Sequence, residues 1–184
     1  IKFSDNSKGH GTVSIFTKDY VFEITSIRKD IKTFGRKATI EFADSFLEDS
    51  KRRDFTINSI YSDLEGNLYD PHNGINDLKK NKIKFIGNPL KRIEEDHLRL
   101  LRYFRFIAIY CNKKDQLDIK SLSTCIDNFS KIQFLSKERV QLEFFKLIVA
   151  NNVGLVLLIL YNHNLLNFII EGLQKINKKS IKTL

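Results

Sequence analysis

The feature that most constrains the fold is one twenty-residue segment, KRIEEDHLRLLRYFRFIAIY, at positions 91–110. Its apolar residues recur at three- and four-residue spacing: Leu100, Leu101, Phe104, Ile107 and Ala108. That spacing places them on one side of an α-helix. We therefore expect a long helix from just after Pro89 to about Tyr110, with an apolar stripe that packs into a core.

The same segment carries a charged side, formed by Arg92, Glu95, Asp96, Arg99 and Arg102. One interpretation is a solvated face, because Arg92 and Asp96, like Glu95 and Arg99, are four residues apart and can form ion pairs. The other interpretation is a base-reading site. Adenine and cytosine present an amino donor beside a ring-nitrogen acceptor, which suits an aspartate beside an arginine. Asp96 with Arg99 would then accept A or C and reject G or U.

The rest of the chain divides into a strand-rich part and a helical part. Alternating apolar residues predict strands at 12–16, 20–25 and 38–42. The pattern becomes helical over 45–64, and further helices are expected at 117–129, 136–151 and 153–170. Ser136 and Glu138 resemble an N-terminal cap of one of these helices. The fold class predicted is α+β, with a small β-sheet and a helix followed by an all-α part.

Composition narrows the class of protein. The 184 residues suit one full domain or two small ones, and the net charge of +9 favours polyanionic partners such as nucleic acid, unless it only aids solubility. Cys111 and Cys125 are too few for a zinc or disulfide scaffold. With no signal-peptide core and no membrane-spanning run, we expect a cytoplasmic protein without a membrane partner. The first residue is Ile rather than Met, which suggests a fragment.

Four segments occur in a fixed order along the chain: RRDFTINS, DPHNGINDLKKNKIKFIG, RIEEDHLRLLRYFRF and LSKERVQLEFFKLI. Together they resemble the motifs of the class II tRNA nucleotidyltransferases, the CCA-adding enzymes, and of their relatives the bacterial poly(A) polymerases. The resemblance implies an incomplete nucleotidyltransferase head at 1–62, a neck for base recognition at 63–118, and a helical neck or body segment at 119–184.

The resemblance also implies a single nucleotide pocket that needs no nucleic-acid template. In that family the EDxxR residues pair with incoming ATP or CTP, and the RRD residues hold the triphosphate and the ribose. Guanidinium groups suit phosphate oxygens, and a carboxylate accepts a ribose hydroxyl. The charge at 52–54 would lie at the head of a helix. The implied nucleotide-binding residues are Arg52, Arg53, Asp54, Asn58, Glu95, Asp96, Arg99 and Arg102.

Other positions match motifs of the family that do not imply nucleotide binding. Gly74 and Asp77 match a hinge-like motif between head and neck, although an ordinary turn that caps a helix explains them equally well. Glu138, Arg139 and Glu143 match a motif that stabilises helices. Glu23 is either an auxiliary carboxylate near the metal ions or an exposed strand residue.

Phosphoryl transfer requires metal ions held by acidic side chains. In the family two Mg²⁺ ions are held by a DxD strand, and no such strand stands in this sequence, so its ligands are expected outside this chain. The expected partners are ATP, CTP, the 3′ end of tRNA or another RNA, and a separate chain carrying the DxD strand. The function that the resemblance implies is CCA addition, the template-independent transfer of CMP and AMP to the 3′ end of tRNA, with this chain a fragment that lacks the metal-binding aspartates. The alternatives are poly(A) addition, or a non-catalytic nucleotide- or RNA-binding remnant or subunit of a split enzyme.

Overall fold

The computed structural model describes residues 2–7, 12–34 and 37–170, with side chains described at 12–29 and 41–170. The chain forms two compact units, Ile1–Arg52 and Arg53–Leu184. Within these described residues, no helix is both long enough and apolar enough to cross a bilayer.

The first unit contains antiparallel strands and one short helix. Three strands pair in the order β1 (Lys2–Ser7), β2 (Thr12–Phe16) and β3 (Val21–Thr25), and β4 (Arg28–Phe34) pairs with β5 (Lys37–Phe42). The strands predicted at 12–16, 20–25 and 38–42 are confirmed. Helix α1 (Phe46–Lys51) begins at Ser45, whose hydroxyl accepts the N–H of Glu48.

The second unit is mostly helical, which confirms the α+β fold class. A small hairpin, β6 (Tyr61–Ser62) with β7 (Leu68–Tyr69), precedes the helices. The helices are α2 (Gly74–Lys79), α3 (Pro89–Glu95), α4 (Leu98–Tyr110), α5 (Ile119–Asp127), α6 (Lys137–Ile148) and α7 (Val153–Asn162). Short 3₁₀ turns lie at Thr56–Asn58, Lys114–Gln116, Phe129–Phe134 and Leu166–Phe168.

Helix α4 lies at the centre of the second unit's core. Its predicted apolar stripe is confirmed, because all five of its residues are fully buried: Leu100, Leu101, Phe104, Ile107 and Ala108. Helices α6 and α7 both pack against α4, and α3 packs against α5. Removing one Leu side chain from water contributes about 1.5–3 kcal/mol, so this stripe fixes the position of α4.

The helix predicted over 45–64 is wrong beyond Lys51. The chain leaves the helix at Arg52, and Phe55 is extended, with φ −117° and ψ 150°. Phe55 is fully buried, with its ring centroid 4.9 Å from that of Phe85 and 5.1 Å from that of Phe106. Burial of this ring in the core outweighs the helical pattern of the local sequence.

The single helix predicted up to about Tyr110 is also wrong, since it is interrupted. Asp96 is extended, with φ −154° and ψ 110°, and separates α3 from α4. Its carboxylate accepts the N–H of Leu98 at 3.1 Å, which satisfies one of the donors exposed at the start of α4. The apolar periodicity continues on α4 because that helix restarts after only two residues.

Both cysteines are buried free thiols in the second unit. Burial raises the pKa of Cys111 to about 11, and the thiol donates a hydrogen bond to the carbonyl oxygen of Asn81 at 2.8 Å. Burial also raises the pKa of Cys125. Both groups therefore stay protonated in the folded chain at neutral pH.

Neither thiol should react with Ellman's reagent at pH 8 until the chain is unfolded, because the protonated, buried thiol is a poor nucleophile. Thiols ionise near pH 8.5 in unfolded chains, whereas Cys111 in the folded chain has a pKa of about 11. The folded state is therefore expected to lose stability as the pH rises from about 8.5 towards 11. Absorbance at 412 nm before and after guanidinium measures the reaction. Prompt labelling of the folded chain would contradict this burial.

Candidate functional site

The candidate site is centred on the junction between α3 and α4. Glu95 is the last residue of α3, Asp96 lies between the helices, and Arg99 is in the first turn of α4. The backbone N–H of Arg99 donates to the carbonyl oxygen of Asp96 at 3.0 Å. All three residues are half-buried, so their side chains combine restricted motion with access to solvent.

The guanidinium of Arg99 is held by groups on α3. One terminal nitrogen donates to Glu95 Oε2 at 2.6 Å and to the carbonyl oxygen of Arg92 at 3.0 Å. The other carboxylate oxygen of Glu95 pairs with Arg92 at 2.6 Å. The predicted ion pair between Glu95 and Arg99 is confirmed. Glu95 therefore orients Arg99 across the junction.

The carboxylate of Asp96 is held by a residue from α6. One terminal nitrogen of Arg139 lies 3.1 Å from Oδ1 and 3.0 Å from Oδ2 of Asp96. Oδ1 also accepts the N–H of Leu98. Since a carboxylate offers about four lone-pair positions, these three contacts leave Oδ2 with room for one more donor.

A second cluster joins Asp54, Asn58 and Arg102. Asp54 is 7% exposed, and its Oδ1 accepts from Asn58 Nδ2 and from the N–H of Phe55, both at 2.9 Å. Its Oδ2 accepts from two nitrogens of Arg102, each at 2.6 Å. Four donors thus occupy the carboxylate, which fixes Arg102 on the surface of α4.

The two arginines of the RRD motif lie in different units. Arg52 caps the C-terminal end of α1, and its Nε donates to Asp49 Oδ1 at 2.8 Å and to the carbonyl oxygen of Arg28 at 3.0 Å. Arg53 lies over the ring of Tyr61 at 5.8 Å. The expectation that this motif heads a helix is wrong. The motif follows a helix, and the chain after it extends in order to bury Phe55.

The predicted hinge residues pack tightly against the 3₁₀ turn at Thr56–Asn58. A Cβ atom on Gly74 would lie 2.2 Å from the carbonyl oxygen of Thr56. Asp77 is 3% exposed, and its carboxylate accepts from Thr56 Oγ1 and from Lys84 Nζ, both at 2.9 Å. The position therefore requires glycine for close approach, and a hinge role stays a prediction.

Glu23 lies on β3 with its side chain exposed, opposite Ser14 on β2. Its role as an auxiliary carboxylate stays a prediction. Across the residues that the structure describes, no three His, Cys, Asp or Glu side chains gather in a way that could hold a metal ion. The Mg²⁺ ligands stay a prediction for residues outside this chain.

Sequence reasoning missed the contacts that tie α6 to the site. The motif match predicts only a helix-stabilising role for Arg139 and Glu143, yet Arg139 contacts Asp96, and Glu143 pairs with Arg105 at 2.5 Å. The spacing could have indicated these contacts, because Arg139 and Glu143 are four residues apart and lie on the same side of a helix that also buries Leu147. Charges on a buried helix face usually have partners.

Comparisons with known proteins agree with this architecture. The family model described as "Poly A polymerase head domain" matches residues 1–84, and the model described as "Probable RNA and SrmB- binding site of polymerase A" matches residues 116–176. Mitochondrial CCA tRNA nucleotidyltransferase 1 of Homo sapiens is 38% identical over 159 residues, which cover 85% of this chain and 37% of the human protein.

A bacterial relative and a solved structure extend the similarity. The CCA-adding enzyme of Staphylococcus epidermidis is 35% identical over 164 residues, or 88% of this chain and 40% of that protein. The crystal structure of the Bacillus stearothermophilus CCA-adding enzyme in complex with CTP superposes with a TM-score of 0.80 at 30% identity, covering 95% of this chain and 42% of that one. The fold and motifs define a nucleotidyltransferase head and neck. The chain belongs to the family of CCA-adding tRNA nucleotidyltransferases and poly(A) polymerases.

The chain spans 37% and 40% of the length of the two curated relatives. The shared part contains all four motifs of the sequence analysis, including the segment at the α3–α4 junction. The similarity therefore concerns the region in which the candidate site lies.

Replacing Gly74 by Ala should destabilise the second unit by about 1–3 kcal/mol or more, because the added methyl group would overlap the backbone of Thr56. Lys79→Ala, at an exposed position of the same helix, should change the free energy of unfolding by no more than about 0.5 kcal/mol. Urea unfolding followed by circular dichroism measures both. Equal stability of the two variants would contradict the close approach.

Proposed function

We propose that this chain supplies the nucleotide-selecting part of an enzyme that transfers CMP and AMP from CTP and ATP to the 3′ end of tRNA. The observation that carries the proposal is the α3–α4 junction, where Asp96 and Arg99 lie three residues apart across the start of α4 and each is held by a partner. The names of the relatives, CCA tRNA nucleotidyltransferase and CCA-adding enzyme, support the same reaction.

The chemistry of the junction favours two of the four bases. The remaining acceptor position on Asp96 Oδ2 suits the exocyclic amino group of adenine or cytosine, while the guanidinium of Arg99 suits the adjacent ring nitrogen. Guanine and uracil present a carbonyl and an N–H at these positions. Each mismatched buried group would cost about 1–3 kcal/mol, which is enough to separate the two classes of base.

The residues of the RRD motif are assigned to the rest of the nucleotide. Arg52 and Arg53 are proposed to bind the triphosphate, as the family resemblance implies. A ribose hydroxyl would need to replace one of the four donors at Asp54. Without binding the ribose, Asp54 can still contribute to the site by holding Arg102 in place, and Asn58 holds Asp54.

Metal-dependent transfer is a property of the nucleotidyltransferase family, in which paired ions stabilise the attacking and leaving oxygens. The described residues instead bind the base and restrict its orientation. We propose tRNA as the acceptor, which agrees with the net charge of +9 and with the RNA-binding family model at residues 116–176. A separate chain with the metal-binding aspartates remains a prediction.

Poly(A) addition is the second candidate function, and the match of residues 1–84 to the poly(A) polymerase head domain favours it. The two functions differ in the nucleotides that the site must accept. CCA addition requires both CTP and ATP, whereas poly(A) addition requires ATP alone. Affinity for CTP therefore distinguishes them.

Calorimetric titration of the chain with each nucleotide should give tighter binding of ATP and CTP than of GTP and UTP. Arg99→Ala should weaken ATP and CTP binding by about 1–3 kcal/mol, the range for a hydrogen bond to a charged group. Lys91→Ala, at an exposed position on α3, serves as the control and should leave all four affinities unchanged. Equal affinities for the four nucleotides would refute base selection here, and selective binding of ATP over CTP would support poly(A) addition.

A further inference from the structure

The contact between Asp96 and Arg139 joins the base-reading junction to a helix that starts 41 residues later in the chain, at Lys137. Asp96 lies outside both α3 and α4, on extended backbone, so helical geometry does not fix its side chain. The N–H of Leu98 contacts only Oδ1. Arg139 is the described group that reaches both carboxylate oxygens, including the oxygen that has room for a further donor.

Arg139 is itself held in a defined position. Its side chain is 16% exposed and lies in the first turn of α6. One turn further along the same face, the buried carboxylate of Glu143 pairs with Arg105 of α4 at 2.5 Å. Arg105 in turn lies over the ring of Phe106 at 4.7 Å. Leu147 of α6 is fully buried in the core that α4 shares, so Arg139 approaches Asp96 from a helix held by apolar packing.

We propose that Arg139 is a positioning residue that sets base selectivity through Asp96. This inference rests on the proposed function. Arg139 holds the carboxylate so that the open lone pair of Oδ2 keeps one orientation, in which it can accept the amino hydrogen of adenine or cytosine. Asp96 then meets the base without first losing side-chain freedom, which reduces the entropic cost of pairing.

A purely stabilising role explains the contact less well. Partly exposed ion pairs contribute little net stability, because the loss of hydration offsets the attraction between the charges. Packing against α4 already holds α6 in place. What the Arg139 contact adds is control over one carboxylate at the candidate site.

The test compares Arg139→Lys with the matched control Arg105→Lys. Both substitutions keep the positive charge and shorten the donor group, but only the first disturbs Asp96. For Arg139→Lys we expect binding of ATP and CTP to weaken about tenfold, the loss of one well-placed hydrogen bond. Binding of GTP and UTP should change less than about twofold. Arg105→Lys should lower the melting temperature and leave the ratio of affinities as in the unsubstituted chain.

The outcomes separate the inference from the function on which it rests. If the unsubstituted chain is selective and Arg139→Lys keeps the same ratio of affinities, the positioning role is overturned and the proposed function stands. If the unsubstituted chain shows no selectivity, both are overturned. If Arg105→Lys loses selectivity as strongly as Arg139→Lys does, the effect is general loosening of the two helices, and the specific role of Arg139 is overturned.

A measurement on the unsubstituted chain keeps the inference testable if Arg139→Lys does not fold. With ¹⁵N-labelled arginine, CTP should shift the side-chain resonances of Arg139, because Asp96 Oδ2, to which Arg139 donates, gains a second donor. GTP at the same concentration should leave those resonances in place. Identical shifts with both nucleotides, or no shift with CTP, would overturn the positioning role.

Discussion

Burial of the apolar stripe of α4 is the constraint on which the rest of the second unit depends. Leu101, Phe104 and Ile107 leave only one orientation for the helix, in which its charged side faces away from the core. That orientation places the start of α4 beside the end of α3 and exposes the junction that carries Asp96 and Arg99. The chemistry of the candidate site is therefore a consequence of how α4 packs.

The charged side of α4 follows a simple arrangement. Its arginines recur every three residues, and each is paired with a carboxylate from a different segment: Arg99 with Glu95 of α3, Arg102 with Asp54 of the preceding loop, and Arg105 with Glu143 of α6. The ion pair at the junction has the opposite arrangement. Its carboxylate, Asp96, lies between α3 and α4, and its arginine, Arg139, lies on α6. Through these ion pairs, α4 restricts the positions of the segments that supply the carboxylates.

The elements that could be predicted from the sequence are those determined by local periodicity. The strands at 12–16, 20–25 and 38–42 and the buried face of α4 follow from local alternation and spacing, and the structure confirms them. The break at Asp96 and the extended chain at Phe55 depend on tertiary contacts that local patterns do not contain. The contact between Asp96 and Arg139 spans 43 residues, so no local spacing could indicate it. The nucleotide-binding roles stay predictions, because they concern a ligand rather than the fold.

A crystal structure of this chain with CTP would test the central claim most directly. The account predicts that the N4 amino group of cytosine lies within about 3.2 Å of Asp96 Oδ2, with the guanidinium of Arg99 at the ring nitrogen. It also predicts that Arg139 keeps its contact with the Asp96 carboxylate. A cytosine bound away from the α3–α4 junction, or an Arg139 that releases Asp96 when the base binds, would contradict it.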